Sequence, residues 1–178
     1  TTQRYDERPQ TLRELHARGR PSPLVRARRL ERALGTPARI YYKYEGVSPV
    51  GSHKPNTAVA QAYYTALEGT TRLTTATGAG QWGASLSFAG ALLGLDVEVW
   101  QVRASCDATP WRRAQGEVCG GICHPSPSDL TEAGRAMLAA DPETTGSLGM
   151  AISEAVETAA KDPAARYALG SVLNPVVL

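Results

Sequence analysis

The chain has 178 residues, 42% of them hydrophobic and 20% charged, with 19 Arg and Lys against 17 Asp and Glu for a formal net charge of +2. That is the makeup of about one ordinary globular domain with a buried core. No apolar run reaches the ~18 residues of a membrane span and no secretory leader is visible. Three cysteines fit reduced thiols in a cytoplasmic protein better than a disulfide framework.

In chain order, residues 1 to 19 read as a polar helix or arm, and Pro21 and Pro23 mark a bend. Leu24, Leu30 and Leu34 recur at helical spacing, which predicts a helix from Leu24 to Leu34 closed by Gly35. Arg39 to Lys43 reads as a strand, and Glu45 to His53 as the loop that delivers Lys54. A helix is predicted from Pro55 to Leu67, with Val59, Tyr63 and Leu67 on one face and Gly69 at its end. The β-rich RLTTAT (Arg72 to Thr77), a glycine turn, an apolar helix from Gln81 to Leu93 and a strand from Val97 to Arg103 follow. A short helix near Pro110 to Val118, a strand near Gly121 to His124 and helices over Ser128 to Ala140 and Gly149 to Lys161 continue the pattern. Strands alternating with helices imply an open, mostly parallel α/β sheet covered on both faces. The chain starts at Thr1 rather than Met, and the closing NPVVL reads as an element interrupted midway.

Charge is uneven, since residues 1–43 carry eleven Arg or Lys and four Asp or Glu. A basic arm suits nucleic acid. The arginines of LVRARRLERALG have no interleaved aromatics, however, so a solvated helix face is the better reading.

The chemistry concentrates between Gly51 and Gly83, GSHKPNTAVAQAYYTALEGTTRLTTATGAGQWG. Lys54 is the only lysine between Lys43 and Lys161, and it lies where a loop becomes a helix. Proline suits the first helical position because its missing N–H would have no intrahelical partner there. Ser52 or His53 then lies at the cap, and open backbone N–H groups at the helix end attract anions. A lysine beside such a pocket can bind phosphate as a point charge or form a Schiff base with a carbonyl cofactor. The strand, the turn Gly78-Ala79-Gly80 and the helix behind it form a unit whose amides can cradle a carboxylate, which favours the second option. Each residue also has a plainer reading: Lys54 as a solvated lysine, His53 as a core histidine, Asn56 as a helix-start group, and Thr77 to Gln81 as a tight turn. Cys119, Cys123 and His124 are three candidate ligands without a distant fourth, a poor zinc set.

GSHKPN followed by TGAGQWG resembles the β chain of tryptophan synthase, specifically its longer second type, a fold type II pyridoxal-phosphate enzyme. RPSPL at Arg20, IYYKYEG at Ile40, PSPSDLTEAGRAMLA at Pro125, GSLGMAISEAV at Gly146 and YALGSVLN at Tyr167 extend the resemblance over nearly the whole chain from Arg20. It implies pyridoxal 5'-phosphate as cofactor and condensation of L-serine with indole into L-tryptophan and water, the last step of tryptophan biosynthesis, in the cytoplasm. By resemblance Lys54 forms the imine with the cofactor and later takes the α-proton of the bound amino acid, which needs a lowered pKa. His53 matches a residue beside the cofactor phosphate, and Asn56 is the next matched polar group. Thr77, Gly78, Ala79, Gly80 and Gln81 match the substrate-carboxylate loop, with Gln81 also near the cofactor ring. Residues 1–85 would form an N-terminal arm and part of the cofactor domain, 86–140 a small mobile α/β subdomain, and 141–178 a return toward the cofactor domain. The family commonly dimerises, and an α subunit supplies its indole.

Two departures qualify the resemblance. Ala76 stands where the family has an acid–base glutamate, and general acid–base assistance contributes about 10²–10⁴-fold. The family's glycine-rich phosphate loop has no counterpart here, and Asn174-Pro175 replaces its usual Asn-His. An impaired, partial synthase is therefore expected. The other readings are a non-catalytic remnant and a pyridoxal-phosphate serine or threonine deaminase working by β-elimination. A sheet cut short would expose edges and an apolar face, so marginal stability or self-association is expected.

Overall fold

The computed structural model describes residues 8–170. Helix α1 (Gln10–Ala17) buries Leu12 and His16. Strand β1 (Leu24–Arg26), helix α2 (Arg28–Leu34) and strand β2 (Tyr41–Lys43) form an outlying unit in which β1 and β2 pair antiparallel, Leu24 opposite Lys43. A 3₁₀ turn (Glu45–Val47) leads to helix α3 (Pro55–Leu67), strand β3 (Arg72–Thr77), helix α4 (Gln81–Leu93) and strand β4 (Asp96–Val102). Helices α5 (Arg103–Ala108) and α6 (Pro110–Val118), strand β5 (Ile122–Ser126), helices α7 (Glu132–Ala140) and α8 (Leu148–Lys161), and strand β6 (Ala165–Tyr167) follow.

The main sheet has the order β5-β4-β3-β6 with every pair parallel, as the alternation of elements implied. β3 is the central strand, and Leu73 to Thr77 are all buried because helices cover both faces. On one face Leu73, Val97 and Val99 meet Ala58, Val59, Ala62, Trp82, Leu86 and Ala89 from α3 and α4. On the other, Ala76 and Trp100 pack on Ala151 and Ala155 of α8. Gly83 is required for this approach, since a Cβ there would stand 2.7 Å from a Val99 methyl. Buried threonines in β3 are satisfied locally: Thr74 donates to the Ala155 carbonyl at 2.8 Å, and Thr75 donates to Ala168 while accepting from Trp82 Nε1 at 2.7 Å.

Two carboxyl groups of α8 hold the start of α7. Glu157 accepts from the Glu132 and Ala133 amides, both at 2.8 Å, and Thr131 caps the Gly134 amide. Glu154, fully buried, accepts from Thr131, Ser126 and Ser128. The first-turn donors that a helix cannot satisfy internally are thus satisfied by a neighbouring helix.

Several expected boundaries shift. The Leu24 to Leu34 segment is a strand followed by a helix rather than one helix, and Leu24, Leu30 and Leu34 are all exposed. Strand pairing with Tyr41–Lys43 claims its first residues, and Gly35 still closes the helix in the left-handed conformation expected of it. In α3, Val59 is buried but Leu67 is exposed, and the buried side is rich in alanine. α7 begins at Glu132 rather than Ser128, because the residues between are spent on the Glu154 network. The sequence patterns missed α5 and the three-residue β6. Among the described residues no helix is long and apolar enough to cross a membrane.

Candidate active site

Strand order places the site. The chain steps outward from β3 to β4 to β5, then returns past α8 to lay β6 on the opposite edge of β3. The order reverses at β3, and in open parallel sheets the crevice beyond the carboxyl ends of the strands at such a point is where ligands bind. The residues that leave the carboxyl end of β3 are Thr77, Gly78, Ala79 and Gly80, and Gln81 starts α4.

The sequence requires that loop to be tight. Gly80 has φ +96, in the region glycine occupies without strain, and a Cβ there would lie 2.5 Å from the Arg112 Cβ. Among the described residues no turn or cap hydrogen bond is donated by Gly78, Ala79 or Gly80. Thr77 is buried, Gln81 is half-buried, and neither side chain is engaged in a hydrogen bond among the described residues.

The lysine turn is a closed local structure. The Gly51 amide bonds the Ser48 carbonyl, the Ser52 amide bonds Ser48 Oγ at 2.7 Å, and the Lys54 amide reaches Ser52 Oγ at 3.3 Å. Lys54 itself is the cap residue of α3, in helical conformation and ahead of Pro55, rather than Ser52 or His53. The Asn56 amide bonds the His53 carbonyl at 3.1 Å, and the Thr57 and Ala58 amides bond the Lys54 carbonyl. These bonds leave few open amides at this helix start, so an anion there has mainly side chains to meet. Asn56 is half-buried, its side-chain oxygen taken by Arg20, while His53 is exposed.

The chain's three lysines differ in their surroundings. Lys43 Nζ donates to the Ser22 carbonyl, and Lys161 Nζ pairs with Glu157 at 2.7 Å and Glu132 at 3.2 Å. Lys54 is half-buried, and among the described residues its Nζ makes no hydrogen bond or ion pair. Arg112 joins the lysine turn to the glycine loop, since its Nη1 donates to the Val50 carbonyl at 3.2 Å while its Cβ abuts Gly80. Sequence reasoning missed Arg112, Arg20 and Glu45. Only Arg20 and Glu45 carried a signal, each lying within a matched segment.

Ala76 points away from Thr77 and Gln81's helix, into the cluster with Trp100, Ala151 and Ala155. Trp100 is its register partner on β4, and the buried Trp100 Nε1 has no hydrogen-bond partner among the described residues. Cys123 and His124, neighbours on β5, face opposite sides of the sheet as strand alternation dictates. Cys123 Sγ meets Gln101 and its thiol is pushed by burial up to about 12, whereas His124 pairs with Glu98 at 2.9 Å.

The chain is similar to the tryptophan synthase beta chain of Thermococcus gammatolerans, at 58% identity over the whole of this chain and 41% of that protein. It is 56% identical to tryptophan synthase beta chain 2 of Thermotoga maritima over 99% of this chain and 42% of that one, and 52% identical to beta chain 2 of Pyrococcus furiosus. It therefore spans about two-fifths of the length of the curated relatives it matches. A model of pyridoxal-phosphate dependent enzymes matches residues 16–160, and the chain belongs to that family.

Proposed function

We propose that this chain is the lysine-bearing part of an enzyme that joins L-serine and indole into L-tryptophan and water. The observation that carries the reading is Lys54, the one lysine whose amine is engaged by no other described group, at a helix start tied through Arg112 to the glycine loop. A primary amine that no described group engages is open to a carbonyl ligand. The donor set fits pyridoxal phosphate: a primary amine that no described group engages for its aldehyde, His53 next to it in the chain, and a Gln81 side chain without a hydrogen bond among the described residues. When bound, that cofactor supplies an electron sink for the carbanion at the amino-acid α-carbon.

Within this reading Lys54 Nζ holds the cofactor and takes the α-proton. Asn56 and Gln81 contact the cofactor, and His53 lies by its phosphate. The Thr77 hydroxyl, the amides of Gly78, Ala79 and Gly80, and Gln81 orient the substrate carboxylate. Ala76 moves no proton, so departure of the serine hydroxyl lacks its usual acid and the reaction is slowed by about 10²–10⁴-fold. As a second reading, Ala76 in place of an acid–base carboxylate favours simple β-elimination of serine or threonine over replacement by indole. A homodimer, an α-subunit partner and the division at residues 85 and 140 belong to the same proposal.

The test is to mix the chain with pyridoxal phosphate, reduce with borohydride and map the product by mass spectrometry against Lys54→Ala. Selective modification of Lys54 is expected. Modification shared equally with Lys43 and Lys161, or absent, would sink the assignment of Lys54.

A further inference from the structure

We infer that Arg20 is the positioning residue of the Lys54 turn, its guanidinium fixing the backbone on both sides of the lysine and so setting where the lysine amine points. The inference rests on the reading of Lys54 as the cofactor lysine. Three nitrogens of Arg20 go to three different acceptors. Nε donates to Asn56 Oδ1, Nη1 to Glu45 Oε2 at 2.7 Å, and Nη2 to the His53 carbonyl at 3.3 Å. The His53 carbonyl belongs to the peptide that enters Lys54, and Asn56 lies two residues beyond it. One planar fork therefore spans the lysine.

The fork is itself anchored. Ser22, buried, donates to the other Glu45 oxygen at 2.7 Å. Burial works against ionisation of Glu45, yet the hydrogen bonds from Arg20 and Ser22 hold its carboxyl below the usual carboxylate range, so it stays an anion opposite Arg20. His16 braces the same place from α1. Its Nδ1 faces Arg8 at 3.3 Å and accepts, which leaves Nε2 to donate to the Asn56 carbonyl at 2.9 Å. Arg20 also walls a cavity of about 770 Å³ with Arg8, His16, Lys43 and Asn56. Among the described residues the guanidinium makes no bond to the Lys54 side chain and reaches the lysine only through the His53 carbonyl and Asn56. A lysine at position 20 would keep the charge but not the planar set of donors, which makes arginine specific to this geometry.

The test compares the full chain with Arg20→Lys, Arg20→Met and Glu45→Gln, and with Arg39→Gln as a remote control. Two readouts are taken: amide hydrogen exchange of residues 52–57 against that of β3 and α4, and the rate of borohydride-trapped cofactor capture at Lys54. Exchange at 52–57 is expected to rise in the first three variants while β3 and α4 keep their protection. Capture at Lys54 is expected to slow about tenfold or more, because small misplacements of a reacting group cost that much. Arg39→Gln should match the parent in both. Unchanged exchange at 52–57 and capture within about twofold of the parent in Arg20→Met would overturn the inference. So would loss of β3 and α4 protection in both Arg20→Lys and Glu45→Gln, which marks a structural role. If the parent chain does not capture cofactor at Lys54, the functional reading fails, while the exchange of residues 52–57 still decides the part Arg20 plays.

Discussion

Replacing Glu154 with alanine is a severe change to the fold away from the candidate site. The side chain is fully buried, and four donors converge on it. Oε1 accepts from the Ser128 amide at 3.0 Å, Ser128 Oγ at 2.6 Å and Thr131 Oγ1 at 2.9 Å, and Oε2 accepts from Ser126 Oγ. The hydroxyls can turn to other partners, but the Ser128 amide is fixed by the backbone. Each orphaned buried donor costs about 1–3 kcal/mol, so losing the fixed Ser128 amide's acceptor together with part of the hydroxyl network costs about 2–4 kcal/mol in total. That is a large share of the ~5–15 kcal/mol that holds a domain folded. Glu154→Gln should cost only about 1 kcal/mol, because one oxygen keeps its three donors and Ser126 can rotate to accept from the new NH₂. Urea unfolding at constant slope, followed by circular dichroism, measures both, with hydrogen exchange in α7 as the local readout. A cost under about 1 kcal/mol for Glu154→Ala, or equal costs for the two variants, would refute the reasoning.

Ala76→Glu, assayed in the full-length protein, is expected to raise indole-dependent tryptophan formation by about 10²–10⁴-fold, and no gain would remove the synthase reading. Gly83→Val should lose about 1–3 kcal/mol through overpacking, since its Cβ would meet Val99 at 2.7 Å and Thr77 at 3.2 Å; an unchanged urea midpoint would contradict this. Hydrogen bonds from Lys161 and from the Ala133 and Glu132 amides hold the Glu157 carboxyl down at about 2. Its folded value lies below the unfolded ~4.3, so its contribution is complete above that pH and fades as pH falls from there toward the folded value. The stability gap between parent and Glu157→Gln should therefore close over that acid range, and a gap constant with pH would show that the carboxylate contributes nothing as an ion.

The local backbone of the candidate site was legible in the residues themselves. Pro55 after Lys54 fits the first position of a helix, and a glycine at position 80 allowed the positive-φ backbone found there. The ends of α3, β3 and α4 followed because proline, β-branched residues and glycine act through their own backbone. Parallel order was legible too, from alternation alone. What depended on partners far along the chain was not. Leu24–Arg26 became a strand because Tyr41–Lys43 offered hydrogen bonds that leucine spacing does not encode. β6 is too short to mark itself and exists through its ladder with Arg72–Thr74. The same holds for the groups packed around the candidate site. Arg20, Glu45 and Arg112 are ordinary surface types by sequence, and only the tertiary structure brings their side chains against His53, Asn56, Val50 and Gly80. Backbone preference is a property of one residue and its neighbours, so sequence determined it. A hydrogen bond across tens of residues is a property of the packed chain, and only the fold decided it.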